Sequence, residues 1–322
     1  MAPVPPRTSS RPFLSVVTPL YNCLALTQAM VASLQATIPF WVSYEVILVD
    51  DRSTDGTREW LAGLKAPFRV VLNESNAGFG ASTNRGAAIA RGRVLALLNN
   101  DLVLKRGWLP PMLWTLRLLG WRAGLIGNIQ LNASTLEVDH AGIKVDEAKC
   151  KPEHLRRLPP LAVRVVFPVR PAFAVTGACM LVRRSTWRRL GGFDPAYVNG
   201  CEDVDLCLRA SEAGLVNAVA LPSWVLHHVS ASPGRKSRDE ENSYRLFRRW
   251  RYRLAAEVCR DYAVEGFMRY LPEPRDFPDK LEALKTALYL LHLRKEPPAS
   301  AVQAKQPTIE LELARWQKMF SP

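Results

Sequence analysis

No stretch of the 322 residues approaches the roughly 18 consecutive apolar side chains that a spanning helix requires, so none is expected. Residues 1–12, MAPVPPRTSSRP, lack the apolar block of a secretory leader and read as a flexible tail. The six cysteines, at 23, 150, 179, 201, 207 and 259, form no CxxC pair and no repeating spacing. That pattern argues against a disulfide framework or a zinc site and for reduced thiols in the cytoplasm. The sequence shows no internal repeat. It also has no base-reading motif to accompany its basic residues, so nucleic acid is not an expected partner.

What is present is ordinary globular composition, 48% apolar and 23% charged, with enough chain for one or two domains. The net charge is +13, and two arginine clusters stand out, 183/184/188/189 and 245/248/249/251/253. The second lies on a helical pattern whose Leu246, Phe247, Trp250 and Leu254 would form one apolar face. Charge runs of this kind are commonly solvated faces, and anionic lipid or a pyrophosphate-linked acceptor is the competing explanation.

From residue 13 to 99, short β-branched runs alternate with helix-length segments. Strands are expected at 13–20, 44–50, 68–72 and 93–99, and helices near 24–37, 57–65 and 79–91. This alternation predicts an α/β domain with a mostly parallel sheet covered on both faces, and ligands bind such sheets outside the carboxyl ends of the strands. The polar punctuation falls at those ends: Tyr21 and Asn22, Asp50 and Asp51, Asn73 to Asn76, and Asn99 to Asp101. Further on, a helix is expected at 108–119, a strand at 125–131, a hairpin-like piece at 136–145 and a surface connection at 151–171. A strand at 173–182, a helix from Ser185, a turn at 191–195 and a helix from Glu202 follow. Beyond 233 the pattern is mostly helical, most clearly over 280–295.

Four polar constellations invite chemistry. In VDDRSTDGT (49–57), Asp55 and Thr54 are explained as caps, whereas one of two adjacent carboxylates must face the crevice and could accept from a base or ribose. NAGFGASTNRG (76–86) opens a helix with glycines, but the first βα turn, TPLYN, has none, so the dinucleotide fingerprint is incomplete. In NGCEDVDLCLR (199–209), adjacent Glu202 and Asp203 point about 100° apart on a helix, so one of them is expected to face the crevice. Asp205 is expected to cap or to pair with Arg209, four residues on. The last constellation is His227 and His228, which end an apolar run, and neutral imidazole is a competent metal ligand.

Taken in order, SVVTPLYN, VDDRSTDGT, NAGFGASTNRG, LLNND, TGACMLVRR, GGFD, NGCEDVDLCLR and HHVSAS resemble the glycosyltransferase family 2 enzymes of GT-A fold, in particular the rhamnosyltransferase-like branch. The resemblance implies a sheet domain over 13–235 with a helical extension over 236–322. It implies an inverting transfer from a nucleotide-diphosphate sugar, dTDP- or UDP-linked, to a hydroxyl on a bacterial surface glycan or lipid-linked oligosaccharide. Nucleotide contacts are implied at Pro19, Tyr21, Asp51, Asn76, Gly78, Asn84 and Asn100. Asp101 and His227, five residues before Ser232, would hold Mn²⁺ or Mg²⁺, with His228 as a substitute for His227. Asp203 would be the catalytic base, with Glu202 beside it. Asn99 and Asn100 stand where many relatives carry acids, which leaves one protein carboxylate for the metal. A cytoplasmic location is expected, either free or peripheral at the inner face of the membrane. Two competing readings are a sugar nucleotidyltransferase, disfavoured by the missing phosphate loop after the first strand, and a non-catalytic glycan- or membrane-binding module.

Overall fold

A computed structural model describes residues 11–228, 238–270, 280–290, 294 and 296–320. Almost all of the expected tail, the distal end of the 280–295 helix and Ser232 lie outside them. The chain divides into two compact units, 1–143 with 154–238, and 144–153 with 239–322.

The first unit is built on β1 (Leu14–Leu20), β2 (Tyr44–Asp50), β3 (Phe68–Leu72) and β4 (Val94–Leu98), joined through α1 (Leu24–Thr37), α2 (Thr57–Ala62) and α3 (Phe79–Ile89). β1 pairs in parallel with both β2 and β4, and β2 with β3. β4 is apolar and buried throughout, and β1 and β2 are mostly apolar and buried at all but one position each, as strands covered on both faces must be. Close covering depends on Gly86: a Cβ there would fall 2.5 Å from Val17 Cγ1 and 2.8 Å from Val49 Cγ2, so only glycine lets α3 lie this near the sheet.

The other half of the sheet is mixed. β5 (Leu102–Leu104) leads into α4 (Leu109–Leu118), and β6 (Ala123–Asn132) is followed by β7 (Val138–His140) and β8 (Ile143–Val145). Next come β9 (Pro152–His154), α5 (Leu161–Val166), β10 (Val169–Pro171), β11 (Cys179–Arg183), α6 (Arg184–Leu190), α7 (Glu202–Glu212) and β12 (Val216–His227). The order is β10-β12-β6-β11-β4-β1-β2-β3, with β5 on β12 and β7 on β6. β11 runs antiparallel between β4 and β6, and this reverses direction twice. Parallel pairing of β12 with β6 then brings the end of β12, His227, to the edge where β4 ends.

Three expectations are corrected. The piece at 136–145 is not a hairpin: β7 pairs with β6 and β8 with β9, because Gly142 (φ 117°) turns the chain away between them. The connection at 151–171 contains two strands and a helix, whose signals its prolines and arginines obscure. The strand expected from 173 begins at Cys179, and residues 173–178 instead contribute a single bridge, Ala174 to Ile143, and a turn.

The second unit holds α8 (Asp239–Tyr270), α9 (Lys280–Leu290) and α10 (Ala299–Phe320), together with residues 144–153. α8 bends at Trp250 (φ −118°, ψ 19°). Leu246, Phe247, Trp250 and Leu254 are all buried, whereas Arg245, Arg248, Arg249, Arg251 and Arg253 are exposed. The second arginine cluster is thus a solvated face. Among the described residues no helix is long and apolar enough to cross a membrane, and no disulfide forms.

Candidate active site

The ends of β1, β2 and β4, the turn before β11 and the start of α7 enclose a cavity of about 190 Å³. Pro19, Tyr21, Asp51, Asn76, Gly78, Asn100, Asp101, Glu202 and Asp203 all line it. Of the residues singled out from sequence as ligands or catalysts, Asn84, His227 and His228 do not. Asn84 serves as a brace: its carboxamide donates to Phe193 O (2.8 Å) and accepts from Phe193 N (2.9 Å), tying α3 to the GGFD turn.

Around Asp51 the loops are knit together. Asp51 Oδ1 accepts from Ala77 N (2.8 Å) and Asn73 Nδ2 (2.7 Å), and Oδ2 accepts from Gly78 N (2.8 Å). Gly78 sits at φ 84°, a conformation that favours glycine, and its amide thereby reaches the carboxylate. Asp50 turns the other way and pairs with Arg58 Nε at 2.6 Å, as strand alternation requires. Asn22 and Cys23 hold left-handed conformations at the first loop, where Asn22 Oδ1 accepts from Thr54 N (2.8 Å) and Asp55 Oδ2 caps α1 at Leu24 N (2.9 Å). Asn100 Nδ2 donates to Thr27 Oγ1 (2.9 Å).

The opposite wall begins with Asn199 and Cys201, both at positive φ, and Asn199 Oδ1 accepts from Phe79 N (3.2 Å). Backbone outliers of this kind cluster at functional loops. Glu202 Oε2 accepts from Gly200 N (2.7 Å), Asp203 Oδ2 from Gly177 N (2.8 Å) and Asp203 Oδ1 from Val204 N (2.8 Å). Both acids reach the cavity, contrary to the expectation of one, because α7 meets it with its first turn rather than along one side. Asp205 is buried and pairs with Arg209 at 2.8 Å, as its spacing predicted.

The centre differs. Asp101 is 7% exposed, and its buried Oδ1 has no hydrogen bond. The His227 ring, 3% exposed, brings Nε2 to 3.4 Å from that oxygen, while Nδ1 lies 3.6 Å from Asp139 Oδ2. Of the two adjacent histidines it is thus the ring of His227 that approaches Asp101; His228 contributes its backbone N–H to Asp101 O (2.9 Å). Asp139 also lies 4.0 Å from His154 Nδ1 and 3.9 Å from Arg156 Nη2. Contact with His227 holds the Asp139 carboxyl below its ordinary range against the opposing effect of burial. Burial pushes His154 down, and Asp139 and Asp203 oppose that shift. His140, wholly buried, is pushed well below the usual imidazole value by desolvation. Sequence reasoning missed Asp139, His154, Asn199 and the 176–178 turn, all brought to the site by tertiary contacts invisible along the chain.

Among the described residues no group of three or more His, Cys, Asp or Glu side chains stands ready to hold a metal ion. The orphaned Asp101 Oδ1 facing an imidazole is nonetheless a donor pair that fits a hard divalent cation whose remaining ligands come from substrate and water.

Residues 15–118 match the model of the Glycosyl transferase family 2. The O-antigen biosynthesis protein RfbC of Myxococcus xanthus is 29% identical over 249 residues, 74% of this chain and 19% of that protein. The N-acetylglucosaminyl-diphospho-decaprenol L-rhamnosyltransferase of Mycobacterium tuberculosis is 44% identical over 66 residues, 20% of this chain and 22% of the other. The matches therefore span about a fifth of either relative's length. The crystal structure of GalNAc-T7 with UDP, GalNAc and Mn²⁺ superposes with a TM-score of 0.60 at 17% identity, covering 92% of this chain and 55% of that one. The fold is GT-A, and residues 15–118 are similar to the glycosyl transferase family 2, as the ordered motifs implied.

Proposed function

We propose that the protein is an inverting, metal-dependent glycosyltransferase that moves a sugar from a dTDP- or UDP-linked donor to a hydroxyl of a surface glycan or lipid-linked oligosaccharide. The observation that carries it is the convergence on one cavity of a loop-organising carboxylate (Asp51), an unsatisfied buried carboxylate (Asp101) and two helix-start acids (Glu202 and Asp203).

Asp51 shapes the 73–78 loop against which the base and ribose lie, with Pro19, Tyr21, Asn76 and Gly78 completing that wall. Asp101 and His227 hold the cation, and Asp139 fixes the imidazole by occupying its Nδ1 side. A divalent cation bound there supplies Lewis-acid stabilisation of the departing diphosphate. Asp203 is held by one backbone N–H at each oxygen, which leaves lone pairs for the acceptor hydroxyl. It takes that hydroxyl's proton as the oxygen attacks the anomeric carbon. The bond from anomeric carbon to phosphate oxygen breaks as the new one forms, its electron pair leaves with the nucleoside diphosphate, and the configuration inverts. Glu202, braced on Gly200, keeps the start of α7 in register.

The test is release of nucleoside diphosphate from a panel of sugar nucleotides with Mn²⁺. Nucleoside diphosphate release that is lost in Asp101→Asn supports the proposal. Release of pyrophosphate when a nucleoside triphosphate and a sugar 1-phosphate are supplied instead would indicate a nucleotidyltransferase, and no turnover in either assay a binding module.

A further inference from the structure

Two exposed apolar areas stand out on the first unit. One lies at the amino ends of the strands, where Trp41, Trp114, Arg117, Arg183 and Arg184 border a groove of about 800 Å³ and Phe40 and Trp121 project nearby. Arg183 and Arg184 are committed there to the carbonyls of Gly120, Leu116 and Ala90. The other begins at the active site. His154 and Arg156 reach Asp139, behind His227, and the chain then runs through Arg157 into α5. Leu161, Val165, Val166 and Phe167 are 66%, 73%, 66% and 65% exposed. From 155 to 171 the sequence LRRLPPLAVRVVFPVRP contains four arginines and no acid.

Contiguous apolar side chains rimmed by charge mark interaction surfaces. Self-association through a two-fold axis would set Arg156 and Arg157 of one copy against those of another, which like-charge repulsion opposes. A short helix that presents branched aliphatic and aromatic residues among arginines suits an anionic lipid surface: the apolar groups enter the acyl boundary while guanidinium groups stay among the phosphates. We propose that residues 156–167 dock the protein on an anionic bilayer, with Leu161, Val165, Val166 and Phe167 entering the interface and the arginines meeting headgroup phosphates. The docking stands without the transferase assignment; its consequence, that the acceptor hydroxyl meets Asp203 at the bilayer surface, rests on it.

Cosedimentation with phosphatidylcholine vesicles, with and without phosphatidylglycerol, tests the docking. The full chain is expected to bind the anionic vesicles only, and less at high salt. The triple variant Val165→Ser/Val166→Ser/Phe167→Ser should lose binding by about tenfold or more, with thermal melting and donor hydrolysis in solution unchanged. Arg157→Gln should weaken binding by a smaller factor. Absence of wild-type binding, unaltered binding in the triple variant, or loss instead in Trp41→Ser/Trp121→Ser would overturn the proposal, as would a concentration-dependent dimer abolished by the triple change. Donor hydrolysis is read separately: if it is missing while vesicle binding follows α5, the transferase assignment fails and the docking stands.

Discussion

Two carboxylates line the same cavity and are buried to similar degrees, 4% exposed at Asp51 and 7% at Asp101, yet their surroundings are opposite. Asp51 accepts three hydrogen bonds from its own chain, while Asp101 keeps a buried oxygen without one. An unsatisfied buried acceptor costs stability, and an unpaired charge costs more, so the two sites serve different ends. The Asp51 side of the cavity is complete within the chain itself. At the centre an acceptor is left over, and under the proposed function a bound cation would complete it.

Asp203 is intermediate, with one donor at each oxygen, and it gives the largest expected effect. Asp203→Asn keeps the shape and removes the base, so transfer should fall by about 10²- to 10⁴-fold while nucleotide binding, measured by calorimetry, persists. Near-normal turnover would remove Asp203 from that role and leave Glu202 as the alternative. Asp139→Asn comes next. If the buried carboxylate at 3.6 Å orients His227, Mn²⁺ affinity should weaken by about 10- to 100-fold. Proton NMR of the metal-free imidazole should also report a changed tautomer balance. Unchanged affinity would show that Asp101 alone determines metal binding.

The sharpest test of the contrast uses stability without ligand. Asp51→Asn exchanges a charged acceptor for a carboxamide whose NH₂ would face backbone N–H donors, so melting should fall by an amount equivalent to about 1–3 kcal/mol. Asp101→Asn removes a buried charge whose Oδ1 accepts no hydrogen bond, so the metal-free protein should be unchanged or more stable while metal binding is lost. If both variants destabilised equally, the distinction between a finished and an unfinished site would collapse.

This contrast was only partly legible in the sequence. The first four strands could be read to within a residue or so because buried parallel strands are continuous apolar runs, and the polar residues that end them mark the crevice. Asp51 and Asp101 could be picked out, but not which of them is satisfied: the donors to Asp51 lie 22 to 27 residues away. Asp139 was out of reach, since it meets His227, 88 positions later, only through β7 pairing with β6 and β6 with β12. For Asn84 the resemblance implied a nucleotide contact, and the partner that the sequence could not reveal is the backbone of Phe193, 109 positions later. Proline and arginine between 151 and 171 hid β9, α5 and β10, because the same residues also punctuate surface loops.

The helical unit extends the comparison to a carboxylate that is satisfied within that unit, and it gives the smallest effect. Glu240 accepts from Lys151 Nζ (2.6 Å), Arg315 Nη2 (2.9 Å) and Trp316 Nε1 (2.8 Å). Burial alone would raise its pKa, but these donors outweigh it and hold the carboxyl at about 2. The folded value is thus depressed below the ordinary 4.5, so the ionised form contributes stability in full above about pH 4.5. The contribution fades as the pH falls from there toward 2, because the unfolded chain takes up the proton first. The side chain is 37% exposed, so solvent screening limits the effect to about 1 kcal/mol or less. In acid titrations followed by helical circular dichroism, the wild type should lose this increment between pH 4.5 and 2. Glu240→Gln, less stable at neutral pH, should converge with the wild type at the acid end. Parallel curves across that range would mean that three donors around a half-open carboxylate contribute nothing measurable. Satisfaction by hydrogen bonds would then matter for Asp51 only because it is buried.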